Sequence, residues 1–307
     1  MSSLTHRRRL CPAIWWLAPF VCSAAASAQP LIAGFTLDRG GISAIDTDAG
    51  WLTQLRAAIV AEYASAEFLG LSTLTSGGLQ GADVVLLSAA FSGGVPISPL
   101  TASERDALRS FVLGGGSAIL LVDADSPPGW DAANESLIDA FGFDVTGTLN
   151  GTLTVDLTIA SSPISAGRFG SPAALQFTTG GRIDLLGPGA QAVGVYAGTA
   201  HTAVAYIPKG ALGPGSDLVA VFADTMFITD GFLTPPHRAA ILNLIGEAYQ
   251  GACRADFNQS GTTDVPDIFA FLSAWFAGDI ARANYNGDAF LNTADLFAFL
   301  ADWFAGC

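Results

Sequence analysis

The chain has 307 residues, of which half are hydrophobic and 13% charged, with a formal charge of −14. An acid excess of that size excludes nucleic acid or an anionic membrane as the partner, because phosphate binding needs clustered cations. The length suits one sizeable domain with a small companion.

In chain order, the first element is a leader. Arg7-Arg8-Arg9 precede an apolar run from Leu10 to Val21, and Ala26-Ser27-Ala28 follow. A basic start, a short apolar stretch and a small-x-small site make residues 1–28 a secretory signal peptide. The run is too short to span a bilayer. Its removal takes Cys11 and Cys22 with it. Ten Lys and Arg then face 27 Asp and Glu, a charge of −17. The expected location is extracellular or cell-surface, with no membrane span after cleavage.

Residues 30–250 alternate strand-like and helix-like segments. Apolar runs at Leu31–Phe35, Ala82–Leu87, Ser117–Val122 and Leu218–Phe222 predict buried strands. Trp51–Tyr63 predicts an amphipathic helix with Leu52, Leu55, Ile59 and Tyr63 on its inner face. Thr101–Leu113 predicts a second, capped by Thr101 or Ser103 and stopped by Gly114-Gly115-Gly116. Asn134–Phe141 and Pro236–Tyr249 predict two more helices. Residues 145–215, rich in Thr, Gly, Ser and Pro, read as a β-rich insertion or as extra strands on the sheet edge. Their strand-like runs are Leu153–Ile159 and Ala192–Tyr196. The fold class is therefore α/β, with a mostly parallel sheet covered on both faces.

The stretches Asp83–Leu87, Leu108–Gly116 running into Ser117–Val122, and Ala223–Asp230 resemble the class I glutamine amidotransferase-like superfamily. That resemblance implies a flavodoxin-like fold. The superfamily's reaction needs a nucleophilic Cys on a strand-to-helix turn and a His. Residues 30–250 contain no Cys, and Asp123-Ala124-Asp125-Ser126 after the third predicted strand is no nucleophile elbow. The resemblance therefore implies a non-catalytic member. Acids remain at predicted strand ends: Asp38, Asp123, Asp125, Asp224 and Asp230. Ligands of open α/β sheets collect there, so Asp123, Asp125 and Asp224 are the candidate catalytic or metal-binding residues. Asp also caps helices and turns routinely. His201 and His237, the two histidines outside the leader, read as structural or exposed.

The last 55 residues write one unit twice, 28 residues apart. Oxygen-bearing side chains fall at loop positions 1, 3, 5, 9 and 12, the spacing of an EF-hand calcium loop. In the first loop these are Asp256, Asn258, Ser260, Asp264 and Asp267, with the carbonyl of Thr262 at position 7. In the second they are Asn284, Asn286, Asp288, Asn292 and Asp295, with the carbonyl of Phe290. Gly261 makes the first loop's turn; the second has Ala289 there. Each loop feeds a helix whose predicted apolar face is Ile268, Phe271, Leu272, Trp275 and Phe276, then Leu296, Phe299, Leu300, Trp303 and Phe304. No helix is expected before either loop.

Two half EF-hands in this order resemble the dockerin family, in particular the tails that end in Gly306-Cys307. The resemblance implies a small all-α domain over 253–307, folded by two Ca²⁺ ions, that attaches a secreted protein to a cohesin-like or cell-surface scaffold. It also links the chain to polysaccharide breakdown. Val265-Pro266 and Thr293-Ala294 stand where type I dockerins carry a Ser-Thr pair. Cys253 and Cys307 bracket the module, and export favours their pairing. A bridge would add about 4 kcal/mol, and a free Cys307 would instead serve intermolecular attachment. Three functions stay open for residues 30–250: a displayed non-catalytic domain, a hydrolase of polysaccharides using the strand-end aspartates, and a carbohydrate- or protein-binding module.

Overall fold

The computed structural model describes residues 30–63, 66–92, 94–185, 187, 189–250, 255–258, 263–283, 285 and 290–305. The predicted leader, Cys253, Cys307 and loop residues Ser260, Thr262, Asn284, Asn286 and Asp288 lie outside them. None of the described helices is long and apolar enough to cross a membrane.

The strands are β1 (Leu31–Phe35), β2 (Glu67–Leu71), β3 (Val84–Ser88), β4 (Ala90–Ser92), β5 (Val95–Pro96), β6 (Ser117–Leu121), β7 (Phe143–Leu157), β8 (Ala174–Leu185), β9 (Gln191–Tyr196), β10 (Thr202–Ile207) and β11 (Val219–Phe222). The helices are α1 (Leu37–Gly40), α2 (Thr53–Glu62), α3 (Ala102–Leu113), α4 (Trp130–Ile138), α5 (Pro235–Gln250), α6 (Val265–Phe276), α7 (Ile280–Ala283) and α8 (Thr293–Ala305). Nine strands form one sheet in the order β2-β1-β3-β6-β11-β10-β9-β7-β8. The first five run parallel in the doubly wound order 2-1-3-4-5. The rest are antiparallel. The sheet is thus mixed, and residues 145–215 supply its edge strands.

Alternation along the parallel strands explains the two cores. Ile32, Val84, Leu86, Ile119, Leu121 and Phe222 face one side, against Leu55 and Ile59 of α2 and Ile241, Leu244 and Ile245 of α5. Phe35, Val85, Leu87, Leu120 and Val221 face the other, against Leu108 and Val112 of α3 and Leu137 and Ile138 of α4. Every residue of β3, β6 and β11 is buried. This is why these strands are apolar but for the terminal Ser88 and Ser117.

Local signals set the boundaries. Thr101 caps α3 in a capping box, accepting from Glu104 N while Glu104 Oε2 accepts from Thr101 N at 2.9 Å. Helix α4 starts at Trp130, four residues before the predicted start. Asn134 sits inside it, fully buried, because its amide clamps the backbone of Asp123 and Ala124.

The C-terminal helices pack on their own small core. Phe271 of α6 and Phe299 of α8 stack with ring centroids 4.4 Å apart and planes 4° from parallel. Phe257 and Tyr285 flank the stack edge-on. Both differ by 28 residues, as do the stacked pair, so the sequence repeat is a spatial one. Two expectations are corrected here. Helix α7 does precede the second loop. Phe276 and Phe304 are 77% and 76% exposed rather than part of the inner face. Each lies five residues past its stacked phenylalanine, about 140° round the helix.

Candidate functional site

In open α/β sheets, ligands enter at the C-terminal ends of the parallel strands. Here that end is closed by the chain itself. Strand β7 shifts register against β8 between Thr146 and Leu149 and again between Asn150 and Leu153. Gly147 and Gly151, at φ +71° and +103°, occupy these bulges. The bent ribbon brings β8 against the ends of β6 and β11. Gly180 is needed there, because a Cβ would meet the Ala223 carbonyl at 2.1 Å and the Tyr196 hydroxyl at 2.4 Å.

Under this ribbon the structure brings Asp123 and Asp224 together. Asp224 is fully buried. Its Oδ2 accepts from Thr178 N of β8 at 2.7 Å and its Oδ1 from Met226 N at 2.6 Å. Asp123 accepts from Thr225 Oγ1 at 2.6 Å and from Ala124 N at 2.8 Å. Burial, then the neighbouring Asp123 charge, pushes Asp224 up to about 7, against the pull of its backbone donors. Burial likewise raises Asp123. Tyr196 donates to the Gly181 carbonyl at 2.9 Å, and burial holds its phenol above the usual range.

The other strand-end acids do not join this pair. Asp125 accepts from Gly147 N at 2.7 Å and pins the first bulge. Asp230 accepts from Gln54 N at 2.8 Å and from Thr53 Oγ1, so it caps α2 from outside that helix. Asp38 is exposed in the first turn of α1. His237 is buried. Its Nε2 accepts from Gln176 N at 3.0 Å and Nδ1 lies 2.9 Å from the Phe232 carbonyl, so it ties β8 to α5. Burial keeps it neutral by lowering its pKa. His201 is exposed. Asp123 and Asp224 thus form a pair of carboxyl groups under the ribbon, each engaged by protein donors.

In the C-terminal module, the predicted position-12 residues Asp267 and Asp295 are both fully buried. Asp267 accepts from Asn258 N at 2.9 Å and Asp264 N at 2.8 Å; Asp295 accepts from Asn292 N at 2.9 Å. Two side chains assigned only to packing also bind across the pair. Trp275 Nε1 donates to the Asn292 carbonyl at 3.1 Å, and Trp303 Nε1 donates to the Asp264 carbonyl at 2.9 Å. Each indole thus holds position 9 of the other loop. The 28-residue offset shared by Trp275–Trp303 and Asp264–Asn292 is the signal that could have revealed this exchange. Asp256 is buried, and Phe290 is exposed. Among the described residues, no group of three or more His, Cys, Asp or Glu gathers into a metal site.

No family model matches the chain, and no curated protein does. Among solved structures it is similar to the mmIFT52 N-terminal domain, at 18% identity and TM-score 0.52, over 72% of this chain and 96% of that one. It is also similar to a β-galactosidase from Bacillus circulans sp. alkalophilus (10%, TM-score 0.46), over 72% of this chain but 31% of the enzyme. A ThuA-like protein from Bacteroides uniformis aligns at 10% and TM-score 0.42, over 78% and 95% of the two chains. The first likeness concerns the α/β fold alone, and the other two carry no functional argument.

Proposed function

We propose that this is a secreted protein in which a calcium-folded, dockerin-like tail anchors a non-catalytic α/β domain to a cohesin-like or cell-surface partner. The observation that carries the reading is the pair of buried carboxylates, Asp267 and Asp295, at the twelfth position of two loops clasped by reciprocal indole bonds. A buried ionised carboxylate needs a cation or a full set of donors, and the loop spacing supplies further oxygens beside each. Asp256, Asn258, Ser260, the Thr262 carbonyl, Asp264 and Asp267 would hold one Ca²⁺. Asn284, Asn286, Asp288, the Phe290 carbonyl, Asn292 and Asp295 would hold the second. Bound ions would supply the positive charge that the acidic loops lack.

The partner surface in this reading is the outer side of the helix pair. Phe269, Phe276, Phe297 and Phe304 are 66–77% exposed there and repeat at the same 28-residue offset. The engagement of Asp224, fully buried, and of Asp123 by protein donors supports the non-catalytic reading of the larger domain over a hydrolase. The resemblance of Asp83–Leu87 and Ala223–Asp230 to amidotransferase-like proteins belongs to the same proposal, as does a link to polysaccharide breakdown. Calorimetric titration of the chelated full chain with CaCl₂ tests the anchor. Two bound ions are expected, and no binding tighter than about 1 mM would discard it.

A further inference from the structure

A second site stands apart from both carboxylate clusters. A cavity of about 380 Å³ opens on the face of the sheet beside α5. That volume lies within the usual range for small-molecule sites, roughly 300–1,000 Å³. Its floor is Tyr206 of β10 and Gln191 of β9, which are direct cross-strand partners. One wall is Gly246 and Glu247 of α5. The opposite wall is the 159–169 loop, which carries Arg168 and Phe169. Phe257, from the first acidic loop, closes one side.

Three features make this a constructed cavity rather than a gap. First, the loop wall is stapled in place. Asn243 accepts from Phe169 N at 2.9 Å and donates to the Gly170 carbonyl at 3.0 Å. Second, Gly246 puts no side chain in the wall although it stands inside a helix, where glycine costs stability. Third, Tyr206 is 6% exposed, yet its hydroxyl makes no hydrogen bond to any described residue. Burial, then the charges of Glu247 and Asp217, keeps that phenol protonated, so it can donate to a molecule in the cavity.

The lining carries one cation, Arg168, and one anion, Glu247, whose formal charges cancel, so it offers a ligand no net charge. What the walls offer is hydroxyl, amide and carboxylate groups around two phenyl rings, Phe169 and Phe257. We propose that this cavity binds a neutral polyhydroxylated molecule the size of one or two pyranose rings. Its hydroxyls would pair with Tyr206, Gln191 and Glu247, and its C–H faces would lie on the phenyl rings.

The site is independent of the metal loops apart from the Phe257 wall, so it can fail while the anchor stands, and the reverse. The test is calorimetric titration of the calcium-loaded full chain with cellobiose, xylobiose and N,N′-diacetylchitobiose. At least one should bind saturably with a Kd below about 10 mM. Tyr206→Phe, which keeps the ring packing, should weaken it about tenfold, the effect of one lost hydrogen bond. Glu247→Gln should weaken it by a similar factor, and Ser76→Ala, which lines a separate cavity with Ala107 and Phe111 of α3, should not. Absence of saturable binding by all three sugars, or unchanged binding in both pocket variants, would overturn the proposal.

Discussion

Asp224 makes the sharpest prediction about the larger domain. The folded chain raises this carboxyl from the ordinary range to about 7, chiefly by burial. The folded state therefore keeps a proton that the unfolded chain releases above about pH 4. By linkage, folding stability falls as pH rises from about 4 to 7 on account of this group. The span is roughly three pH units, worth about 4 kcal/mol in all at 1.36 kcal/mol per unit. Asp224→Asn removes the titration but sets an amide nitrogen against a backbone N–H, of Thr178 or Met226. It should destabilise at pH 4.5 by about 1–3 kcal/mol. The gap should then close or reverse by pH 8, because only the wild type continues to lose stability. Taking the difference between variant and wild type cancels the opposing pH dependence of buried, neutral His237, whose lowered pKa makes stability rise with pH up to the ordinary histidine range. Urea denaturation followed by far-ultraviolet circular dichroism at pH 4.5, 6 and 8 gives the curve. A gap that stays constant, or widens with rising pH, would refute the reasoning.

Three further outcomes follow from the geometry. Gly180→Ala should destabilise the domain by about 1–3 kcal/mol, since its Cβ would collide with the Ala223 carbonyl and Tyr196 hydroxyl; thermal melts report it, and a neutral result would mean that the ribbon does not seal the strand ends. Phe271→Ala should remove the central ring stack of the tail at about 3–5 kcal/mol, lost by the C-terminal transition in calorimetry while the larger domain melts unchanged. Trp275→Phe and Trp303→Phe should each cost about 0.5–1.5 kcal/mol and be equal within error, as reciprocal bonds require; a large asymmetry would contradict the paired arrangement.

Four of the five parallel strands were readable, because burial on both faces leaves β3, β6 and β11 apolar except for Ser88 and Ser117; β2, only partly buried along Glu67–Leu71, was not. Helix α3 was readable because its cap is local: Thr101 and Glu104 are three residues apart. The antiparallel half was readable only in part: the runs beginning at Leu153 and Ala192 fall in β7 and β9, but their pairing does not show in the sequence. Gly147 and Gly151 interrupt the alternation of β7, and its pairing with β8 crosses two shifts of register. Strand β10, buried along Thr202–Ile207, has a β-branched and aromatic signal but no alternation to show where it pairs. The fate of the acids was decided by tertiary contacts. Nothing local tells Asp224 that Thr178, 46 residues away, will hold it, or tells Asp230 that it will cap α2. In the tail, the repeat fixed which residues correspond, and Phe271, Phe299, Trp275 and Trp303 answer to it. Periodicity alone put Phe276 and Phe304 on the inner face, because it does not say where that face is centred.

The claim on which the account rests is that metal holds the C-terminal helix pair together. Hydrogen exchange of the full chain, in CaCl₂ and in excess chelator, tests it most directly. The account predicts that amides of 265–276 and 293–305 lose protection when calcium is removed, while those of β1, β3, β6 and β11 stay protected. Equal protection of the two helices in chelator would contradict it.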